Sequence, residues 1–412
     1  MELNLDILNE ISKKCHDSFY ILDTKQLKYN FNELLEALRE FYPESYIAYS
    51  YKTNYIPKVC SVINDLGGYA EIVSDMEYEI AKRIGVDPCK IIFNGPYKNK
   101  AAVKELMLSG GIVNIDSTAE IENIEELVQQ YPDKNFNLGI RCNFDIGDGV
   151  VSRFGFDVMS NEFVNIIHKI SAYKNVNLFS VQCHFADRSI ETWSSRTEKM
   201  LDLIGNKIPF IPDIIDFGGG LYGKMPDSLK SQFKSNIPSY QDYANIVAKK
   251  FAGKFFDCDK KPKLFIEPGS ALVGDVMKFA CKVESIKNIR GKDIATVLGS
   301  IYNINPTLNK KNPPLSIYAS ASAADRKYYC DLDFGGFTCI ESDYLYRGYN
   351  GELAVGDYVV FGNVGSYSIV LKPPFILPNF PVIEFDEVTR KTDFIKNAEI
   401  FDDLFQTYKF NF

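Results

Sequence analysis

Residues 69–85, YAEIVSDMEYEIAKRIG, decide how the chain is read. YAEIVS (69–74) is a short strand-like run, and DMEYEIAKRIG (75–85) spaces its apolar residues as a helix does before stopping at Gly85, a residue suited to end one. The same two-part unit recurs on both sides. Upstream, YIAYSYK (46–52) precedes the helix-like KVCSVINDL (58–66). Downstream, KIIFNG (90–95) precedes KNKAAVKELMLSG (98–110), and GIVNID (111–116) precedes STAEIENIEELVQQ (117–130), where Ser117 and Glu120 form a capping-box pattern. NLGIRCN (137–143), LFSVQCHF (178–185), IIDFGGG (214–220) and KLFIEPG (263–269) continue the series. About eight strands, most followed by a helix, predict an α/β fold, a (β/α)8 TIM-like barrel over residues 30–275.

After Gly269 the texture changes. VMKFACKVESIKNI (276–289), DIATVLGS (293–300), FGGFTCIESDYLY (334–346), DYVVFGNVG (357–365) and YSIVLKPPFIL (367–377) are strand-like runs separated by Gly, Pro and Asn. They predict a second, mainly antiparallel β domain over 276–412. Residues 1–29 are assigned to it as well, because SFYILD (18–23) is an isolated strand ahead of the barrel.

The 412 residues suffice for two domains. A net charge of −8 lacks the electrostatic footprint of a nucleic-acid binder. No apolar run approaches the roughly 20 residues needed to cross a membrane. The N-terminal stretch has neither the basic start nor the apolar core of a signal peptide, so the expected location is cytoplasmic. Nine cysteines, an odd number without CxxC spacing, read as free thiols. The three histidines (His16, His168 and His184) fall in unrelated segments, so no metal site is expected.

Four features carry chemistry. Lys52 ends the first strand, where a barrel presents side chains to its mouth, and imine chemistry needs such a lysine; the plainer reading is a strand-end lysine reaching solvent. Gly218, Gly219 and Gly220 follow a strand and let backbone amides approach a phosphate, or simply make a tight turn. Glu267 ends another strand, where a carboxylate can pair with a protonated ring nitrogen or face solvent. His184 ends a third; it can stack on a flat ring or be an ordinary core histidine.

The order of the motifs AYSYKTN, AEIVSDMEYE, GIRCN, SRFGF, CHF, DFGGG, EPG, GFTCIESD and NVGSY resembles the alanine-racemase-fold (fold type III) pyridoxal-phosphate decarboxylases, the group of the ornithine and diaminopimelate decarboxylases, from about residue 18 to 370. The resemblance implies pyridoxal 5'-phosphate as cofactor, with Lys52 as its Schiff-base lysine, His184 on its ring face and Glu267 at its ring nitrogen. It also implies Gly219, Gly220, Gly269, Ser270 and Tyr367 around the phosphate, and Glu71 and Arg141 lining the site. Cys339 is implied as the proton donor that one protomer of a homodimer lends to its partner, so that the β domain completes the neighbouring active site.

The chain departs from the family's pattern in places. The arginine that usually follows EPG is Ser270, and the phosphate-binding serine after the His184 strand is Asp187, followed by Arg188. The acidic residue beside the catalytic cysteine is Ile340; Glu341 comes next, but one step along a strand turns it to the other face. These departures predict a substrate with an acidic, amidated or conjugated distal group, met by Arg188, Ile340, Glu341, Asp343 and Arg347. Diaminopimelate or a basic amino acid is the alternative. A racemase, or a binding protein without catalysis, is a further one.

Overall fold

The computed structural model describes residues 3–320 and 326–411. Parts of the predicted β domain, residues 1–2, 321–325 and 412, lie outside these. The chain forms two compact units. One takes in Lys28–Gly223 and Asn236–Leu272; the other gathers the segments up to Leu27, Lys224–Ser235, and from Val273 onward. Residues 224–235, inside the barrel span on sequence grounds, thus cluster with the second unit.

The first unit is a closed barrel of eight parallel strands: β2 (Ser45–Ser50), β3 (Tyr69–Ile72), β4 (Ile91–Phe93), β5 (Ile112–Ile115), β6 (Phe136–Asn143), β8 (Val176–Gln182), β9 (Ile214–Asp216) and β10 (Lys263–Ile266). β10 pairs with β2, so the last strand closes on the first; the two-residue β7 (Phe156–Asp157) lies beside β6. The strands are short and nearly continuously apolar because both faces are covered, and Ala48, Ile92, Ile112, Ile214 and Phe265 share one buried cluster. The helices between them begin where the sequence supplies caps. Ser74 accepts the Glu77 amide at the start of Asp75–Arg83, and Ser117 with Glu120 closes a capping box on Thr118–Gln130.

The second unit is built on one sheet: β1 (Phe19–Leu22), β11 (Met277–Ile289), β12 (Lys292–Val297), β13 (Leu315–Tyr318), β14 (Lys327–Gly335), β15 (Tyr344–Leu353), β16 (Tyr358–Phe361), β17 (Val382–Phe385) and β18 (Thr392–Lys396). Most pairs are antiparallel; β1 with β17, and β12 with β14, are parallel. Its N-terminal segment also carries a helix, Leu5–Cys15, which buries Ile7, Leu8, Ile11 and Cys15 against Phe19, Ile21, Val360 and Ile383.

Two strand assignments change. In YSIVLKPPFIL, Ser368–Leu371 is a single helical turn entered through a left-handed Tyr367 (φ 59°) and followed by Pro373 and Pro374, which bar its extension. In GFTCIESDYLY, extended structure resumes only at Tyr344; residues 336–343 form a bend, so strand alternation does not govern where Glu341 points. No described helix is long and apolar enough to cross a membrane.

Candidate active site

The ends of the barrel strands converge on a ring of polar side chains, on the face where barrels carry their sites. β2 stops at Ser50, and Lys52 sits two residues on, in a 3-10 turn over Tyr51–Thr53 rather than in the strand itself. Register aligns Ser50 with Glu71, and the Lys52 ammonium is ion-paired to Glu71 Oε2 and lies 3.4 Å from Ser50 Oγ. Glu71 Oε1 accepts a hydrogen bond from Asn94 Nδ2 (3.1 Å), and the same nitrogen donates to Glu267 Oε1 (2.5 Å). Asn114 donates to Asn94 Oδ1 (2.7 Å) and Gln182 to Glu267 Oε2 (3.1 Å). One buried amide thus links the lysine's counter-ion to a second buried carboxylate of the mouth.

Glu267 and Asp216 are almost wholly buried. Burial drives Asp216 well above the usual carboxylate range, and the neighbouring Glu267 charge adds to the effect, so Asp216 keeps its proton. Burial pushes Glu267 the same way, but the Lys52 charge and the Asp216 acid oppose it and hold Glu267 ionised. Half-buried His184 is lowered by desolvation and stays neutral near pH 7. Its Nδ1 is 3.7 Å from Glu267 but accepts the Gly219 N–H at 2.9 Å, which puts the ring proton on Nε2.

That contact changes the part expected of Gly219. Its amide orients His184, and the Gly218 amide donates to Asp216 Oδ1 (2.8 Å), leaving Gly220 (φ +91°) as the glycine whose amide has no protein acceptor among the described residues. A Cβ on Gly220 would meet Phe185 O at 2.6 Å, and one on Gly219 would meet Glu267 O at 2.5 Å. Gly269 is pressed against Thr53, and half-buried Ser270 opens the short helix Ser270–Val273. Arg141 is buried beside β8, donating to Asp116 Oδ1 and to His184 O, each at 3.3 Å. Asp187 accepts from Ser189 N (2.8 Å), Ser189 Oγ (2.6 Å) and Thr192 Oγ1 (2.6 Å). Burial tends to raise its carboxyl, but these bonds prevail and hold it below the usual range. Asp187 is therefore the anchor of a helix start. The Arg188 guanidinium lies over the Tyr222 ring, 5.4 Å from its centre.

In the second unit Cys339 and Glu341 are exposed and Ile340 is half-buried. Asp343 is buried and fully engaged: it accepts from Ser300 Oγ, Ile301 N, Thr338 N and Thr338 Oγ1. Its oxygens hold the 336–343 bend together, a structural task in place of the substrate contact expected from sequence. Arg347 is ion-paired to Asp333 (2.9 Å) and stacked on Tyr344. All nine cysteines are free thiols, and no cluster among the described residues is placed to hold a metal.

The profile of the family described as "Pyridoxal-dependent decarboxylase, pyridoxal binding domain" matches residues 28–274, more than half of the chain. The chain belongs to this family. Among its relatives, the diaminopimelate decarboxylase of Methanocaldococcus jannaschii is 26% identical, covering 87% of this chain and 84% of that protein. The probable chloroplastic diaminopimelate decarboxylase of Oryza sativa is 25% identical, over 95% and 79%. The crystal structure of the M. jannaschii diaminopimelate decarboxylase has the same fold, with a TM-score of 0.85 at 23% identity over 97% of this chain and 94% of that one. The lysine decarboxylase of Selenomonas ruminantium gives 0.74 at 19%, over 94% and 97%. The protein is thus a pyridoxal-phosphate-dependent amino-acid decarboxylase.

The residues of this decarboxylase's mouth fit the cofactor. A cradle too tight for any side chain is lined by an amide without a protein acceptor, beside an ionised buried carboxylate and a lysine. Asn94, Asn114, Asp116, Gln182, Arg196 and Asp216 do not stand out as site residues from the sequence alone. For all but Arg196 a signal was available: each is a polar residue at or near the end of a mainly apolar strand run, where an unpaired polar group is costly.

Proposed function

We propose that this enzyme removes the α-carboxylate of diaminopimelate or a closely similar amino acid, with Lys52 as the cofactor's anchor and Cys339 as a proton donor acting across a homodimer. The observation that carries the reading is the linkage Lys52–Glu71–Asn94–Glu267, which brings an amine and an ionised buried carboxylate to one mouth. When bound, pyridoxal phosphate supplies the electron sink that makes loss of CO2 possible. The chain's residues do the rest. Glu267 would keep the ring nitrogen protonated, Gly220, Gly269 and Ser270 would hold the phosphate, and neutral His184 would lie against the ring. Glu71, backed by Asn94, positions the Lys52 Nζ and takes up its charge; Arg141, backed by Asp116, closes the wall beside His184.

Diaminopimelate is favoured by the names of the relatives and by the engagement of Arg347 with Asp333, which removes one of the two arginines that an anionic distal group would need. The distal end of diaminopimelate carries both an ammonium and a carboxylate, and Arg188 is a suitable partner for the latter. A second reading, an amidated or conjugated distal group, is favoured by uncharged Ile340 beside Cys339. Release of CO2 measured on meso-diaminopimelate, L-lysine, L-ornithine and amidated or acidic analogues decides. A kcat/KM of roughly 10⁴ M⁻¹s⁻¹ or more on diaminopimelate, with lysine and ornithine well below it, is expected. A clear preference for an amidated or conjugated substrate would transfer the assignment to the second reading.

A further inference from the structure

Arg196, in the helix Ile190–Asn206, is wholly buried, and no carboxylate among the described residues lies within ion-pairing distance of it. All of its hydrogen bonds go to backbone carbonyls. Nη1 donates to Gly219 O (2.7 Å) and Phe217 O (3.2 Å), and Nη2 to Phe185 O (3.0 Å) and Asp187 O (3.3 Å). Its flat face lies on Trp193, 4.0 Å from the ring centre. The nearby Asp187 carboxylate is occupied by Ser189 and Thr192. Burial lowers the guanidinium only to about 10, so it is charged at neutral pH. Asp187 therefore acts on Arg196 only through space, and a buried cation with no hydrogen-bonded anion is costly and leaves room for a second anionic partner.

The loop it supports shows where that partner sits. Every carbonyl from Phe217 to Gly220 is taken up by protein donors: Phe217 and Gly219 by Arg196, Gly218 by the Glu267 amide, and Gly220 by Trp193 Nε1 (2.7 Å). In a trans peptide the N–H points opposite the C=O. The Gly219 carbonyl aimed at Arg196 therefore turns the Gly220 N–H away from it, and the adjacent charge polarises that peptide into a stronger donor.

We propose that Arg196 is the buried counter-charge of the cofactor's phosphate, a positioning residue that fixes and polarises the Gly219–Gly220 peptide without touching the anion. The inference rests on the reading of this loop as the phosphate site. It predicts that charge at position 196 governs the enzyme's preference for pyridoxal phosphate over pyridoxal, which lacks the phosphate. Dissociation constants for both ligands are measured on the full-length protein, on Arg196→Gln, which keeps donors but loses the charge, and on Arg196→Lys, which keeps the charge with fewer donors. Arg196→Gln should lose about tenfold or more of the preference, and Arg196→Lys should retain most of it. In the unaltered holoenzyme, phosphorus NMR should find the bound phosphate doubly ionised below the pH of about 6 at which free phosphate monoesters titrate. Equal weakening of both ligands in both variants, or a bound phosphate that titrates as in solution, would overturn the proposal; the second measurement stands even if Arg196→Gln does not fold. Gly220→Ala separates the two readings. If it erodes the preference while Arg196→Gln leaves it intact, the loop holds the phosphate without help from Arg196; if neither changes it, the loop reading falls too.

Discussion

Asp216 and Glu267, on neighbouring strands of the barrel, form a buried carboxyl pair in which Asp216 keeps the proton and Glu267 carries the charge. Asp216 Oδ1 accepts the Gly218 amide, while Oδ2 has no donor, the arrangement of an acid that itself donates. Because its folded pKa is raised, the stability this proton confers is present below the unfolded value of about 3.9 and is lost as pH rises towards the folded one. Asp216→Asn removes that dependence. Its melting temperature relative to the unaltered protein should climb as pH rises above the unfolded value of about 3.9; a difference that stays flat with rising pH speaks against a protonated Asp216.

Lys52→Ala should abolish covalent retention of the cofactor. Borohydride-treated protein, digested and weighed, should carry a phosphopyridoxyl group on the peptide containing Lys52, and the variant on none. The variant also strips buried Glu71 of its cation, so a loss of stability of about 1–3 kcal/mol in the cofactor-free protein is expected from urea melts.

Asn94→Leu tests the bridge between Glu71 and Glu267. Removing the shared donor leaves two buried carboxylates facing an apolar side chain, at a cost of about 1–3 kcal/mol. Cofactor affinity should fall with it. Stability and affinity both unchanged would mean that the bridge is dispensable.

Asp343 and Glu341 should part company. Asp343→Ala deletes the acceptor of four hydrogen bonds and should destabilise the protein by about 2–4 kcal/mol. Exposed Glu341→Ala should stay within about 0.5 kcal/mol. Thermal melts with matched heat-capacity analysis distinguish the two.

Subunit exchange tests the shared site. Mixtures of Lys52→Ala and Cys339→Ala chains should recover up to about a quarter of the activity, since one site of a mixed dimer regains both groups. Proven exchange without recovery would confine Cys339 to its own protomer or exclude it from the reaction.

The barrel was legible because its signal is repeated: a unit like 69–85 recurs often enough that a single misreading does not change the architecture. Lys52, His184 and Glu267 were legible because each stands just past a strand end, whereas Glu71 came only with the family resemblance; the structure links Lys52, Glu71 and Glu267 through an ion pair and the Asn94 amide. Gly219 shows the limit. Three glycines announce amides close to something, but only the fold reveals that one of those amides faces an imidazole. Arg196 was hidden because a helical arginine reads as solvated surface, and its burial depends on loops contributed by two other strands. Asp343 misled for the opposite reason: a charged residue near a functional motif suggests substrate, whereas here Ser300 and Thr338 occupy it first.

The pairing of β1 has a bearing on how the protein comes into being. Phe19–Leu22 hydrogen-bonds to Met277–Ala280 on one side, and Tyr20 and Ile21 lie against Val382 and Ile383 on the other. A ribosome that has made this strand must add some 360 further residues before its second neighbour exists. At about 5–20 residues per second, that is roughly 20–70 seconds during which a four-residue apolar segment waits without its sheet. The barrel strands are all made within that interval, so the order of synthesis lets the barrel fold first and leaves the β unit to assemble once β17 has been made. The β1 segment is thus a stretch on which chaperone occupancy should be heavy.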